Sequence, residues 1–440
     1  MLNDFIDPDG KDFRKFNFRF EKHPENAIAV QEKALYIIAE NDLDTLGPDA
    51  PTVVINTGST ADTIEGLKDI LLNLEAMTDL GFTLADFAQA YSQRTPVENI
   101  RRQLTAFRNG IGKMELAKAA TIGDGIFALT EEAARSYADI FDAHKDSLTL
   151  KKFVPASGAA SRMFKFLCDF DASFDPDKET VNAYINRKRD SALSVFLIGL
   201  EKFPFYKKLM DTLMAQPDYA SWTKTARTFH LIRILLYEEP FNYANKPKGI
   251  LPFHLYEDHV ATPVCEHLKE AVAYAASGNT ANVHFTISEE HYDGFIEAVE
   301  AARLEVEKES AVAITCTFSY QHKSTDTIAV DMNNKPFRDP DGSLLFRPGG
   351  HGALIENLNE LDADIVFIKN IDNVSHNNME AIALYKKALA GGLLELQEIV
   401  FGYMNRIDAG EATDALIAEI FSFAESKLSQ HIPSDVSKYT

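Results

Sequence analysis

The sequence predicts an α/β protein built on a mostly parallel, Rossmann-like sheet that helices cover on both faces. Three observations carry that prediction. Short apolar segments at Lys151–Pro155, Val283–Ser288, Val312–Phe318 and Ala363–Ile368 alternate with stretches of helical period. Small-residue turns, Ser157–Ser161 and Gly349–Gly352, open into helices, where bare amides and a helix dipole favour an anion. The last apolar segment ends in an acid, Asp372, flanked by Asn370 and Asn373, at the strand end where open α/β sheets take ligands.

Composition bounds the function. A chain of 440 residues that is 45% hydrophobic can bury a sizeable core. Its 44 basic and 66 acidic residues give a net charge of −22, which repels nucleic acid and anionic membranes, so an anionic ligand needs a local basic pocket. The three cysteines, Cys168, Cys265 and Cys316, are odd in number and widely spaced, which fits buried thiols in a reducing compartment. Met1–Phe5 has neither a basic nor an apolar leader pattern, and the best apolar run, Val195–Leu200, is too short to span a bilayer. These features predict a cytoplasmic protein.

In chain order, residues 1–50 are charged and poorly periodic, with one helical pattern at 27–41. A strand at Thr52–Asn56 leads through a polar turn to a helix at 63–76, which Ser59–Asp62 would cap. Helical spacing resumes from Thr83 to Phe107, with Thr95-Pro96-Val97-Glu98 as a start signal. Asp124, between Gly123 and Gly125, serves a tight connector or touches a ligand, and Thr130 opens the next helix.

The stretch around which the rest is organised runs from Lys151 through Pro155-Ala156-Ser157-Gly158-Ala159-Ala160-Ser161-Arg162 into a helix. Read alone, it is either an ordinary strand-to-helix connection or a phosphate cradle with an arginine beside it. A long helical stretch follows at 178–237, in which Phe196, Leu200, Phe203, Phe205 and Leu209 read as core residues of an inserted subdomain. Lys246-Pro247-Lys248 then places ammonium groups before an apolar segment, as a phosphate contact or as a solvated basic turn. Thr262-Pro263 starts a helix, and a further helix spans 289–308. Arg347 and His351 flank the glycines of Pro348–Gly352. Asp372 is a hard-oxygen donor suited to magnesium, or a helix cap.

The order Pro155–Met163, Pro247–Pro252, Pro348–Gly352 and Asn370–Asn373 resembles the sugar-nucleotidyltransferases, and within them the UDP-sugar pyrophosphorylases. It also resembles an uncharacterised bacterial domain-of-unknown-function family of the DUF4301 type. The similarity covers roughly residues 78–440. It implies a GT-A-like fold, a nucleoside triphosphate and a sugar phosphate as partners, and Mg2+ as cofactor. Gly158, Ser161 and Arg162 would bind the triphosphate, and Lys248 would contact its phosphates. Gly350 and His351 would lie by base and ribose, and Asp372 would hold the metal. Ala156, Ser157, Gly349 and Asn370 complete the implied nucleotide-binding set, with Arg162, Lys248 and Asp372 as the catalytic residues. Gln321 matches a glutamine position of the relatives loosely.

There are departures from that pattern. Ala160 stands where a glycine is expected, narrowing the space for phosphate. The long helical stretch before Lys248 makes Lys165 a rival for its role. The segment after Asp372 is short, leaving Asp408 as the candidate second metal-binding acid. The division expected is an extension at 1–77, a helical lead-in at 78–150, and an α/β domain at 151–440 with its insertion at about 170–243. The reaction expected is transfer of a nucleoside monophosphate to a sugar 1-phosphate, releasing pyrophosphate. A non-catalytic nucleotide or nucleotide-sugar sensor is the alternative. A metal-dependent hydrolase using His322, His351 and His376 with Asp372 is a weaker one, because those histidines lack ligand spacing.

Overall fold

The computed structural model describes strand segments at 18–22, 34–39 and 52–56, isolated positions between 77 and 95, residues 97–430 except 117 and 159, and residue 432. Two units emerge, Met1–Ala119 with Tyr320–Glu360, and Ala120–Ser319 with Leu361–Thr440.

In the first unit, β1 (Phe18–Lys22), β2 (Ala34–Ala39) and β3 (Thr52–Asn56) form an antiparallel sheet in that order. The helix expected at 27–41 gives way to β2 at Ala34–Ala39. Tyr36, Ile37 and Ile38 are aromatic and β-branched, and such side chains favour a pleated surface. The turn after Asn56 and the helix expected at 63–76 lie outside the described residues. Helix α1 (Val97–Asn109) follows the Thr95-Pro96 start signal. Its Gln103 accepts from the Ile328 amide at 2.9 Å and donates to the Asp326 carbonyl at 3.1 Å. The Arg338 guanidinium forks onto buried Asp86, with both contacts 2.7 Å, so the excursion at 320–360 is stitched to the early chain.

The second unit holds the parallel sheet. Helix α2 (Glu131–His144), capped by Thr130, precedes β4 (Leu150–Pro155), the central strand, which is buried along almost its whole length. After it come α3 (Lys165–Ser173) and the insertion, α4 (Val181–Lys188), α5 (Ser191–Gly199), α6 (Tyr206–Met214) and α7 (Lys224–Tyr237). Thr180, Asp190 and Thr223 each accept a backbone amide at a helix start, and these polar caps divide the stretch expected to be helical over 178–237 into separate helices. Phe164, Phe170, Tyr184, Phe196, Phe205, Leu209 and Leu235 pack into one apolar cluster; of the residues expected as core, Phe196, Phe205 and Leu209 are buried in it and Leu200 and Phe203 pack against it half-buried. Helix α8 (Pro263–Tyr274) begins with Thr262 accepting from the Cys265 amide and Pro263 in the first turn.

Then follow β5 (Thr280–Ile287), α9 (Tyr292–Ser310), β6 (Ala313–Tyr320) and β7 (Ile365–Ile368). The strand order is β6-β5-β4-β7, with β5 and β7 both parallel to β4. The mostly parallel sheet expected from the alternation is therefore present, and the carboxyl ends of three neighbouring strands open on one edge. A second apolar cluster joins α8 and α9 to β5 through Val264, Leu268, Phe285, Phe295 and Val299. The 30-residue helix α10 (Met379–Asp408) lies against α2, and α11 (Asp414–Lys427) is the last helix among the described residues.

Candidate functional site

Register places the site. Phe285 pairs with Val154 and Ile368 with Phe153, so the segments after β4, β5 and β7 leave the same edge of the sheet. Main-chain bonds extend the sheet into those turns. The Ala156 amide donates to the Thr286 carbonyl at 2.8 Å, Lys369 to Phe153 and Ile371 to Pro155, each at 3.1 Å. The Ser288 hydroxyl donates to the Ser157 carbonyl at 3.0 Å. The Lys246–Ile250 segment arrives from the far side of the insertion. There the Ala160 amide donates to the Lys246 carbonyl and the Lys248 amide to the Gly158 carbonyl, both at 3.2 Å. The Lys248 ammonium then reaches the Asp372 carboxylate at 2.8 Å.

Three of the four sequence motifs thus meet: the Ala156–Arg162 turn, Lys248, and Asn370–Asn373. Arg162 sits exposed in a 3-10 turn, Ala160–Arg162, that also contains Ser161, and Lys165 opens α3 from an exposed position. Gly158 has no positive φ, and an added Cβ would meet nothing within 4 Å, so the protein's own packing gives no reason for a glycine there. The Asn370 carbonyl accepts from the Asn373 amide at 2.9 Å and shapes the Asp372 turn. The fourth motif belongs to the first unit. There Gly349 is tight, because a Cβ would approach Ala353 Cβ at 2.8 Å, while Gly350 and His351 are exposed at the start of a 3-10 turn. Gln321 is engaged nearby, donating to Thr325 and Asp326 at 3.2 Å.

Beneath the edge, α8 buries polar residues that sequence reading passed over. Glu266, His267 and Glu270 are all fully buried, as is Lys152 on β4. Lys152 donates to Glu270 at 2.8 Å and to the His267 carbonyl at 3.0 Å, Lys369 donates to Glu270 at 2.5 Å, and Tyr274 donates to it at 2.9 Å. Burial drives Lys152 down to about 7 against the pull of Glu270. Burial pushes Glu270 up, but the Lys152 and Lys369 ammoniums outweigh it and hold the carboxyl below its usual range. His267 Nε2 lies 3.2 Å from the Ile371 carbonyl, which only accepts, so that nitrogen carries the proton. Burial, with Lys152 beside it, holds His267 well below the ordinary histidine range. One signal for this cluster was legible: a lysine inside an apolar strand, and acids on a helix otherwise rich in apolar residues.

Residues 83–440, well over half of the chain, match a family model described as Domain of unknown function (DUF4301). The chain belongs to the DUF4301 family. No curated protein and no solved structure matches it. Each site residue named above lies within the DUF4301 span, whereas β1–β3 precede it.

The DUF4301 site also contains histidines. His254 Nδ1 and His376 Nδ1 lie 3.4 Å apart, and the Tyr256 ring packs on His376 and stacks on His259. The Tyr256 hydroxyl is fixed on both oxygens of Glu266, at 2.8 and 2.9 Å. His322, by contrast, belongs to the first unit and lies 3.3 Å from Glu360. Among the described residues no three His, Cys, Asp or Glu side chains are grouped to hold a metal ion. Asp408, expected as a second acid for Asp372, stands at the far end of α10, about 43 Å from its start at ~1.5 Å per residue. The seven Cα–Cα steps from Asp372 to Met379 span at most about 25 Å, so the two acids do not share an ion. What the DUF4301 edge does offer is one hard carboxylate, a donor that fits magnesium arriving with its own phosphate ligands. Among the described residues no helix is long and apolar enough to cross a membrane.

Proposed function

We propose that this chain is a GT-A-like nucleotidyltransferase that moves a nucleoside monophosphate from a nucleoside triphosphate to a sugar 1-phosphate. The observation that carries this reading is the Lys248–Asp372 pair above the Gly158 turn at the carboxyl edge of parallel strands. Gly158 supports it, since a turn left bare without internal need suits close approach by phosphate. So does Arg162, exposed on the same turn.

In this reaction an oxygen of the sugar phosphate bonds to the α-phosphorus while the bond from that phosphorus to the bridging oxygen breaks, and pyrophosphate leaves. No covalent protein intermediate is needed, so the residues position and neutralise. Lys248 exchanges Asp372 for a phosphate oxygen as a mobile point charge, and Arg162 grips a second oxygen through its planar fork. A magnesium ion carried by the triphosphate would offset charge on the phosphates and take Asp372 as a protein ligand.

Calorimetric titration with UTP, ATP, CTP and GTP in magnesium, followed by a pyrophosphate-release assay against sugar 1-phosphates, tests this. Binding of one nucleotide with release supports transfer, and no binding overturns it. Binding without release supports the second reading, a nucleotide or nucleotide-sugar sensor. Two observations favour that alternative: Asp372 is already engaged by an ammonium, and Asp408 is remote from it.

A further inference from the structure

Stability is a poor explanation for the buried charges of α8, because apolar residues of similar size usually replace such a set without loss. Their partners suggest a different role. Glu266 holds Tyr256 in the hairpin that carries His254, His267 holds the Ile371 carbonyl, and Glu270 holds both Lys369 and β4 through Lys152. Residues within about two turns of one helix therefore tie down several segments of the candidate site. Lys369 and Ile371 bracket Asn370, and Asp372 follows directly.

We infer that His267 and Glu270 are positioning residues that clamp the Lys369–Asp372 turn from below and thereby present the Asp372 carboxylate to Lys248. The clamp has two arms. His267 Nε2 donates to the Ile371 carbonyl at 3.2 Å, and the Lys369 ammonium lies on Glu270 Oε1 at 2.5 Å. Neither side chain touches a ligand in this scheme; His267 acts through the Ile371 carbonyl and Glu270 through the Lys369 side chain. The inference rests on the reading that Asp372 and Lys248 meet phosphate only for its effect on binding, since the clamp itself is a property of the free protein.

The test combines amide hydrogen exchange with nucleotide calorimetry on the full chain, using His267→Leu, His267→Gln and Lys369→Met. Glutamine reaches as far as the imidazole Nε2 and keeps an N–H donor. In His267→Leu and Lys369→Met, amides 369–373 exchange at least about tenfold faster than in the wild type while the α4–α7 helices are unchanged, and nucleotide affinity falls by a similar factor. His267→Gln restores both. Wild-type exchange at 369–373 in a folded His267→Leu protein, or a glutamine variant that behaves like leucine, overturns the inference. Should His267→Leu not fold, Lys369→Met decides on the same readout. A wild-type chain that binds no nucleotide refutes the phosphate reading, and the exchange pattern then judges the clamp alone.

Discussion

Lys248 Nζ donates to Asp372 Oδ2 at 2.8 Å, joining two turns that are 124 residues apart in sequence. The side chains are 25% and 49% exposed, so the pair is solvent-screened and contributes at most about 1 kcal/mol to folding. Lys248→Ala should therefore shift the melting temperature by only a few degrees, while affinity for a nucleotide falls about tenfold or more. Differential scanning fluorimetry beside calorimetry separates the two effects. A large thermal loss with unchanged affinity would make the pair a structural brace.

Turnover should be more sensitive than affinity. Loss of one charged contact to a transferring phosphoryl group costs about 3 kcal/mol, or two orders of magnitude in rate. Asp372→Asn and Arg162→Ala should each lower pyrophosphate release at least about a hundredfold with circular dichroism unchanged. Unchanged rates in either variant remove that residue from the mechanism.

Gly249 sits directly after Lys248 and is buried. A Cβ there would meet Phe295 at 2.9 Å and Ile371 at 3.0 Å, both of them core side chains. Gly249→Ala should cost about 1–3 kcal/mol in urea unfolding, because the neighbours must move to admit one methyl. Ile371 adjoins Asp372, so nucleotide affinity should fall as well. A variant as stable as the wild type would show that this corner repacks freely.

Two adjacent glycines of α10 make a paired test. At Gly391 a Cβ would overlap the Tyr137 carbonyl oxygen of α2, whereas at Gly392 the nearest atoms belong to the Tyr137 ring at 3.8 Å. Alanine gains about 1 kcal/mol of helix propensity at either site. Backbone cannot yield as a side chain can, so Gly391→Ala should lose about 3 kcal/mol or more, and Gly392→Ala should be neutral or stabilising. Equal effects would contradict the close approach of the two helices.

The parallel sheet and the helical character of 178–237 were legible because period and caps are local signals: Val283–Ser288 alternates, Phe196, Phe205 and Leu209 recur at helical spacing, and Thr262 sits where free amides need an acceptor. The approach of Lys248 to Asp372 was legible only as motif order, since nothing local brings the two turns together. Residues 34–39 misled because alanines and isoleucines satisfy a helical period as well as a strand, and the pairing of β2 with both β1 and β3 decides the matter. The α8 cluster stayed hidden for a related reason. Glu266, His267 and Glu270 are polar residues on a helix, and only the fold shows them to be buried. Asp408 misled because sequence distance says nothing about a continuous helix that carries it away from the sheet edge.

The acid limb of stability should report His267. Burial, with Lys152 next to it, holds its pKa well below 6.5 in the folded chain, while the unfolded chain titrates near 6.5. Below about pH 6.5 the unfolded state therefore binds more protons than the native state, and stability is lost as pH falls. The loss approaches at most about 1.4 kcal/mol per pH unit for one proton. His267→Gln keeps the donor to Ile371 but cannot titrate. Urea unfolding from pH 7.5 to 5 should show the wild type losing stability relative to this variant, with the difference opening below about 6.5. Parallel curves would mean that His267 takes up its proton in the folded state without cost. The neutral imidazole under the Asp372 turn would then have to be abandoned.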